Sequence, residues 1–192
     1  MQRTLYLVGV GYLAICGVVV LRHQTLRLQP ASGPTTAAFD GSAAQWFAAM
    51  KPFCNAVEVE IVHNRHPAPE TLDGQGLSAA CYALAGKIDS ARAIIDRLAE
   101  PDRYRAAGIV FDVAHPVADA GDNRSAGPIM ELVISYWPNH YMALYHAGMA
   151  EYALGESALA AKNLTAFLSY YHENDGWTQS ARATLAQTAE AR

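Results

Sequence analysis

Hydrophobic positions are distributed unevenly along the chain, and its first segment has no polar face. Residues 4–21 read TLYLVGVGYLAICGVVVL, eighteen positions without a charge. As a helix this run would be roughly 27 Å long, close to the hydrocarbon thickness of a bilayer. We therefore predict a transmembrane anchor over residues 1–21, in contact with the lipid bilayer through residues 4–21. A cleaved signal peptide is the alternative, disfavoured because no small-x-small cleavage site follows the run.

The residues that flank this segment give little indication of its orientation. Arg3 precedes it and Arg22 and Arg27 follow it, so the positive charges are nearly balanced. We expect the bulk of the chain to lie outside the cytoplasm, on the periplasmic side of a membrane. Residues 22–41 include QPASGPTT, a stretch without helical or strand periodicity, which predicts a linker.

From Ser42 onward, apolar residues recur at the spacing of a helix. The side chain of Ser42 is suited to cap a helix that carries Trp46 on its apolar face. Pro52 predicts the first turn of a second helix. Residues 57–61 also alternate as a strand would, but no partner strand is evident, so we favour a helix. Residues 42–68 are thus predicted to form an N-terminal helical cap.

Residues 69–192 contain an internal repeat. Glycines recur at spacings of 35 and 34 residues, at Gly86, Gly121 and Gly155. Each is followed five residues later by an alanine and preceded by seven residues by another small residue: Ala91, Ala126 and Ala160, and Ala79, Ala114 and Gly148. This pattern resembles the tetratricopeptide repeat, a 34-residue helix–turn–helix unit. The resemblance covers about half of the chain. It implies that the glycines make the turns and that the small residues let paired helices approach closely.

Two further features complete the predicted fold. One apolar stripe predicts a terminal capping helix and consists of Trp177, Ala181 and Leu185. Pro116 falls within the first helix of the middle repeat, so we expect that helix to stop near His115 or to kink. The predicted fold class is all-α, with an N-terminal transmembrane helix followed by a short stack of about three repeats and capping helices.

Charge and cysteine content narrow the functional classes. The net charge of −4 disfavours nucleic-acid binding, which usually requires a basic face. Cys16 lies in the predicted anchor, and Cys54 and Cys81 could form a disulfide outside the cytoplasm. We favour the alternative that these two are unpaired, buried cysteines in helices.

Candidate catalytic and metal-binding residues are few. His63 and His66 offer two ligands, whereas metal sites usually supply three or four. Asp119 and Asp122 follow His115, but we interpret both carboxylates as solvated turn residues. The sequence contains no Gly-rich phosphate loop and no nucleophile-elbow motif. We therefore predict no enzyme activity, no cofactor and no metal site. A membrane-tethered hydrolase or metal enzyme would need a convergent polar pocket.

The resemblance implies a function in protein binding. In the third repeat, the positions that line the concave face of the family are occupied by Met142, Tyr145, Met149 and Tyr152. These side chains would anchor a partner protein, unless the short stack closes over them as core. Glycines in the predicted anchor favour close packing against other transmembrane helices: Gly9, Gly11 and Gly17.

We therefore expect a non-catalytic, membrane-anchored subunit of a larger protein complex, of respiratory, photosynthetic or secretion type, with other protein subunits as its partners. The alternative is a recruitment adaptor that binds transient clients in its groove.

Overall fold

The computed structural model describes residues 42–190. This part of the chain is helical throughout and contains no strand. Its elements are α1 (Ala43–Met50), a 3₁₀ turn (Lys51–Phe53), α2 (Val59–Arg65), α3 (Leu72–Leu84), α4 (Ile88–Asp96), α5 (Glu100–Asp119), α6 (Asn123–Tyr136), α7 (Tyr141–Ala153), α8 (Ser157–Tyr170) and α9 (Gly176–Glu190).

Six helices form three consecutive hairpins, α3–α4, α5–α6 and α7–α8. The glycines in their turns have positive φ angles: 72° at Gly86, 77° at Gly121 and 85° at Gly155. In each turn the residue after the glycine donates its amide to the carbonyl five residues earlier, the Schellman arrangement. A Cβ at any of the three would meet no atom within 4 Å, so backbone conformation and not space requires glycine there. The predicted role of the three glycines is confirmed.

The small residues that flank the turns lie in the contacts between helices. All six are buried: Ala79, Ala91, Ala114, Ala126, Gly148 and Ala160. At Gly148 of α7, a Cβ would lie 2.6 Å from Cγ of Leu164 on α8. The two helices can therefore approach this closely only because position 148 has no side chain.

Two apolar clusters hold the hairpins together. The larger one spans α3 to α7 and includes the fully buried Ile95, Val110 and Met130. The second joins α7, α8 and α9 through residues such as Phe167 and Ala181. Helix α9 therefore packs on the last hairpin and buries part of its apolar surface.

The predicted fold class is wrong in its membrane component. Among the helices of residues 42–190, none combines the length and the apolar composition that a bilayer crossing requires. The longest, α5, carries six charged residues: Glu100, Asp102, Arg103, Arg105, Asp112 and Asp119. The corrected fold class is all-α. Residues 4–21, on which the prediction of an anchor rested, lie outside the described residues, as do Gly9, Gly11 and Gly17.

The N-terminal helices begin largely as expected. The Ser42 hydroxyl accepts a hydrogen bond from the amide of Gln45, which confirms the predicted cap of α1. Pro52 opens a 3₁₀ turn instead of an α-helix. Residues from Val59 onward are helical, because the side chain of Asn55 accepts hydrogen bonds from two amides just before α2 and so favours its start. The choice of helix over strand is confirmed for this stretch.

Cys54 and Cys81 form a disulfide, so the favoured prediction of two unpaired thiols is wrong. The bond joins the segment between α1 and α2 to the last turn of α3, across 27 residues of sequence. Closing a loop of this length stabilises a folded chain by about 3–4 kcal/mol in the chain-entropy account. The sequence allowed both predictions, because a buried free cysteine and a disulfide-bonded cysteine can occupy the same positions in helices.

Helix α5 continues through Pro116 and ends at Asp119, so the expected stop near His115 does not occur. Proline removes one intrahelical hydrogen bond, here the one that would reach the carbonyl of Asp112. The residue is exposed and stands in the last turns of the helix. The continuation matters for the site described next, because it keeps Asp119 one helical turn beyond His115.

Candidate functional site

Aromatic and imidazole rings form a continuous row between α5, α7 and the first turn of α9. Successive ring centroids lie 4.1 to 5.3 Å apart in the order Trp137, His140, Phe111, His115, His146, Tyr145 and Trp177. We call this set the aromatic row. Phe111 and His115 are four residues apart on α5 and therefore share one face of that helix. The row is long because faces of three helices meet along it.

Three potential metal ligands converge in the middle of the row. Nε2 of His115 lies 3.4 Å from Oδ1 of Asp119, and Nε2 of His146 lies 3.7 Å from the same oxygen. The ligand atoms of all three residues lie within 4.8 Å of one another. Within residues 42–190 this is the one such group of three or more. We call it the imidazole–carboxylate cluster.

The two imidazole nitrogens of the cluster have no hydrogen-bond partner. Both Nε2 atoms are buried, and neither contact with Asp119 has hydrogen-bond geometry. The side chain of His146 is only 6% exposed, that of His115 31% and that of Asp119 49%. A buried polar atom without a hydrogen-bond partner costs about 1–3 kcal/mol of stability. Two such atoms in one place therefore require an explanation.

Burial also sets the charge of the histidines. It lowers the pKa of His146 to about 4, an effect that nearby His115 strengthens and the carboxylate of Asp119 opposes. Burial likewise lowers the pKa of His140. At neutral pH both rings are therefore uncharged. Nδ1 of His140 accepts a hydrogen bond from the amide of Ala143, whereas Nε2 of His146 has no hydrogen-bond partner.

Two cavities open beside the aromatic row. The first, of about 410 Å³, lies where α5 meets the turn into α7 and is lined by Gly108, Phe111, Asp112, Trp137, Asn139, His140, Tyr141 and Met142. We call it the turn cavity. The second, of about 250 Å³, borders the cluster and is lined by Ala118, Asp119, Asn123, Ala126, Tyr145, His146, Met149 and Trp177. We call it the cluster cavity.

Helix α9 contacts three of the four predicted partner-binding residues. Tyr145 is buried, with its ring 4.9 Å from that of Trp177, and burial raises the pKa of its hydroxyl. The sulfur of Met149 accepts a hydrogen bond from Thr184, and the hydroxyl of Tyr152 donates one to Gln187. Met142, the fourth, lines the turn cavity. The groove of the third repeat is therefore partly occupied by the chain itself.

His63 and His66, which the sequence analysis considered as metal ligands and rejected, do not form a metal site. His63 is buried between the rings of Trp46 and Tyr82, at 5.2 and 4.6 Å, and its Nδ1 contacts the carbonyl of Val59 at 2.9 Å. Burial lowers its pKa. The carbonyl of His66 accepts a hydrogen bond from the indole of Trp46. The pair thus takes part in packing α1 against α2.

The cluster was not predicted because groove positions were assigned in the third repeat alone. Asp122 caps α6, as a turn residue would, but Asp119 belongs to the site. Moved back by 34 residues, the groove positions of the third repeat, which are Met142, Tyr145, Met149, Tyr152 and Ala153, become Gly108, Phe111, His115, Ala118 and Asp119. All but His115 line one of the two cavities, and His115 belongs to the cluster. The same spacing applied to the middle repeat would have found the site, apart from His146.

The chain is matched by no protein-family model, by no curated protein and by no solved structure.

Proposed function

We propose that the chain is a non-catalytic protein-interaction module of the tetratricopeptide type, which holds a segment of a partner protein against α5 and α7. The observation that carries this proposal is that residues at the predicted groove positions line the two open cavities. Residues at equivalent positions of the second and third repeats face one surface, and the turn cavity lies open in it. Concave surfaces built from successive repeats are what helical-repeat proteins use for binding.

The lining of the turn cavity indicates the chemistry of the partner segment. Phe111, Trp137 and Met142 supply an apolar floor, suited to one aromatic or branched aliphatic side chain. Asp112 is exposed beside them, and Asp119 carries a second carboxylate further along the same helix. A segment with an apolar anchor next to a basic residue would match both features.

Tyr141 and its neighbours extend this surface. The ring of Tyr141 is 42% exposed and stacks on that of Tyr171 at 5.0 Å. Tyrosines held in this way present large contact area at small entropic cost, as binding surfaces do. Of the two roles considered, we favour a permanent subunit of a larger assembly. A recruitment adaptor for transient clients is the second candidate, and it would use the same surface.

Site-specific crosslinking tests the proposal. A photoreactive phenylalanine analogue replaces Met142 in the turn cavity or, as a control, Leu159, which is 43% exposed on α8. In native cells we expect position 142 to give a defined crosslinked product that position 159 does not. Identical products from both positions, or none from either, would contradict binding at this groove.

Native gel electrophoresis with mass spectrometry separates the two roles. A permanent subunit should migrate in a band far above 20.7 kDa at a fixed ratio to its partners. An adaptor should appear mainly as a small particle and should give the product at position 142 only in part of the population.

Replacing Asp112 by lysine tests the chemistry of the partner segment. It should weaken binding of the partner about tenfold, if a basic residue accompanies the apolar anchor of that segment.

A further inference from the structure

The imidazole–carboxylate cluster has the composition of a metal site, and we propose that it binds one divalent transition-metal ion of the zinc class. His115 and His146 would supply imidazole nitrogens and Asp119 a carboxylate oxygen. The proposal concerns a different ligand from the partner protein and stands whether or not the groove binds one.

The distances in the cluster are close to those a metal ion requires. In a tetrahedral zinc site with bonds of about 2.0–2.1 Å, neighbouring ligand atoms lie roughly 3.3 Å apart. Here the carboxylate oxygen of Asp119 lies 3.4 and 3.7 Å from the two imidazole nitrogens. All three ligand atoms lie within 4.8 Å of one another, so the remaining pair, the two imidazole nitrogens, would have to approach by at most about 1.5 Å on binding.

The two orphan nitrogens are a second, independent observation. A buried imidazole nitrogen normally has a hydrogen-bond partner. In this cluster both Nε2 atoms are buried, unpaired and turned toward the same carboxylate. A metal ion would satisfy both lone pairs at once and would neutralise the carboxylate between them.

The donor set selects the class of metal. Calcium and magnesium prefer oxygen ligands throughout, so two imidazoles disfavour them. Two histidines and one carboxylate with a remaining open position are typical of zinc and of iron(II), nickel and cobalt sites. The open side of this site is the cluster cavity, to which Asp119 and His146 both contribute, so water would complete the coordination.

The helices hold the ligands in place from two sides. His115 and Asp119 are one turn apart on α5, and His146 comes from α7, which belongs to the next hairpin. A bound ion would therefore join two successive repeats. Ligands carried by packed helices are positioned more rigidly than ligands on loops, which favours a defined site over chance binding.

The test is metal titration of the full chain, produced without a histidine tag and freed of metal by a chelator. Isothermal titration calorimetry with Zn²⁺ should give one ion per chain, and Co²⁺ should give the visible absorption of a low-symmetry site. The double variant His115→Gln/Asp119→Asn removes two ligands from partly exposed positions. We expect it to weaken Zn²⁺ binding at least a hundredfold.

The matched control is the double variant His172→Gln/Glu173→Gln. It removes one histidine and one carboxylate from adjacent exposed positions before α9 and should bind Zn²⁺ as the unaltered chain does. The single variant His146→Gln should also abolish stoichiometric binding, with circular dichroism to verify that it is folded. Equal Zn²⁺ affinity in the His115→Gln/Asp119→Asn variant and its control would overturn the proposal, as would the lack of stoichiometric binding to the unaltered chain.

Trp177 provides a local reporter of the bound ion. Its ring lies 5.8 Å from that of His146, so Co²⁺ or Ni²⁺ in the cluster should quench its fluorescence. The quenching should saturate at one equivalent and should be lost in Trp177→Phe, while Zn²⁺ binding persists. Quenching that is unchanged in Trp177→Phe would place the ion elsewhere and contradict the site.

Discussion

Two regions of the molecule bury a histidine among aromatic rings, yet only one of them brings together the ligands of a candidate metal site. At the N-terminal end, His63 is 8% exposed and lies between Trp46 and Tyr82. At the groove, His146 is 6% exposed and lies beside Tyr145 and Trp177. Each ring has a buried Nε2 without a hydrogen-bond partner, and burial lowers the pKa of each.

The difference lies in what surrounds the orphan nitrogen. The other nitrogen of His63 contacts the carbonyl of Val59, and the cavity of about 530 Å³ beside it brings no group of three ligands together. His146 has a second imidazole and a carboxylate within reach of the same nitrogen. An unpaired buried histidine is thus weak evidence for a site by itself, and convergence of ligand atoms is the useful criterion. The larger cavity is not the better candidate.

Reduction of the disulfide should affect the N-terminal region alone, and its expected effect on stability is the largest of those predicted here. Reduction of Cys54–Cys81 should lower the free energy of unfolding by about 3–4 kcal/mol, because it frees a loop of the unfolded chain. Chemical denaturation with and without reductant measures this loss. Hydrogen exchange should show the added opening in α1 to α3, next to the bond.

Zn²⁺ binding by the cluster should survive the same reduction. The disulfide joins residues at the N-terminal end and contacts none of the three ligands. If reduction abolished metal binding in protein that remains folded, the two regions would be coupled and the comparison between them would fail.

Replacing a glycine by alanine in each of the two regions should change stability by a smaller amount. A Cβ at Gly148, near the groove, would lie 2.6 Å from Cγ of Leu164 and 3.2 Å from its backbone nitrogen. A Cβ at Gly76, in α3, would lie 2.7 Å from Cδ1 of Ile109, the mobile end of a side chain, and 3.2 Å from its Cβ, but would meet no backbone atom among its nearest contacts. We expect Gly148→Ala to cost about 2–3 kcal/mol and Gly76→Ala about 1 kcal/mol, since only the first strains backbone packing.

Thermal unfolding of the two variants side by side measures this difference. Both substitutions also gain helix propensity, by roughly the same amount, so the comparison cancels that contribution. Equal destabilisation would show that Leu164 can move as freely as Ile109, and that α7 and α8 are less tightly packed than the structure indicates.

Much of the fold was predictable because its determinants are local. A positive φ angle requires glycine, and Gly86, Gly121 and Gly155 recur at nearly constant spacing. Small residues at fixed distances from them therefore predicted the helix contacts. Of the two outcomes expected at Pro116, a stop and a kink, the stop does not occur. The proline is exposed in the last turns of the helix, where one lost hydrogen bond is tolerated.

The candidate site was less predictable because it depends on contacts between distant residues. His115 and Asp119 share a face of α5, which the sequence does reveal. His146 joins them only through the packing of α7 against α5, and a histidine in an apolar helix gives no signal of its own. The same holds for Cys54 and Cys81, whose pairing depends on how α1 and α2 fold back on α3.

Protonation of the two buried histidines gives the last test. In metal-free protein the pKa of His146 is about 4, below the ordinary value of 6.5 that applies when the chain unfolds. As pH falls below 6.5, the unfolded chain therefore binds a proton that the folded chain does not, and stability is lost. The loss attributable to His146 should reach about 2 kcal/mol by pH 4, after allowance for solvent around the groove.

The total pH dependence does not isolate this effect, because Glu151 acts in the opposite sense. Burial raises the pKa of that carboxyl to about 7, so the folded chain binds a proton before the unfolded chain does, and stability increases as pH falls. The informative quantity is the difference between the unaltered chain and His146→Gln, measured by denaturation from pH 7 to pH 4. It should exceed the corresponding difference for His63→Gln if the groove is the more strongly perturbed region. Nuclear magnetic resonance titration of the His146 ring with a midpoint at or above 6.5 would show that this imidazole is not buried as the structure has it, and the contrast between the two histidines would then disappear.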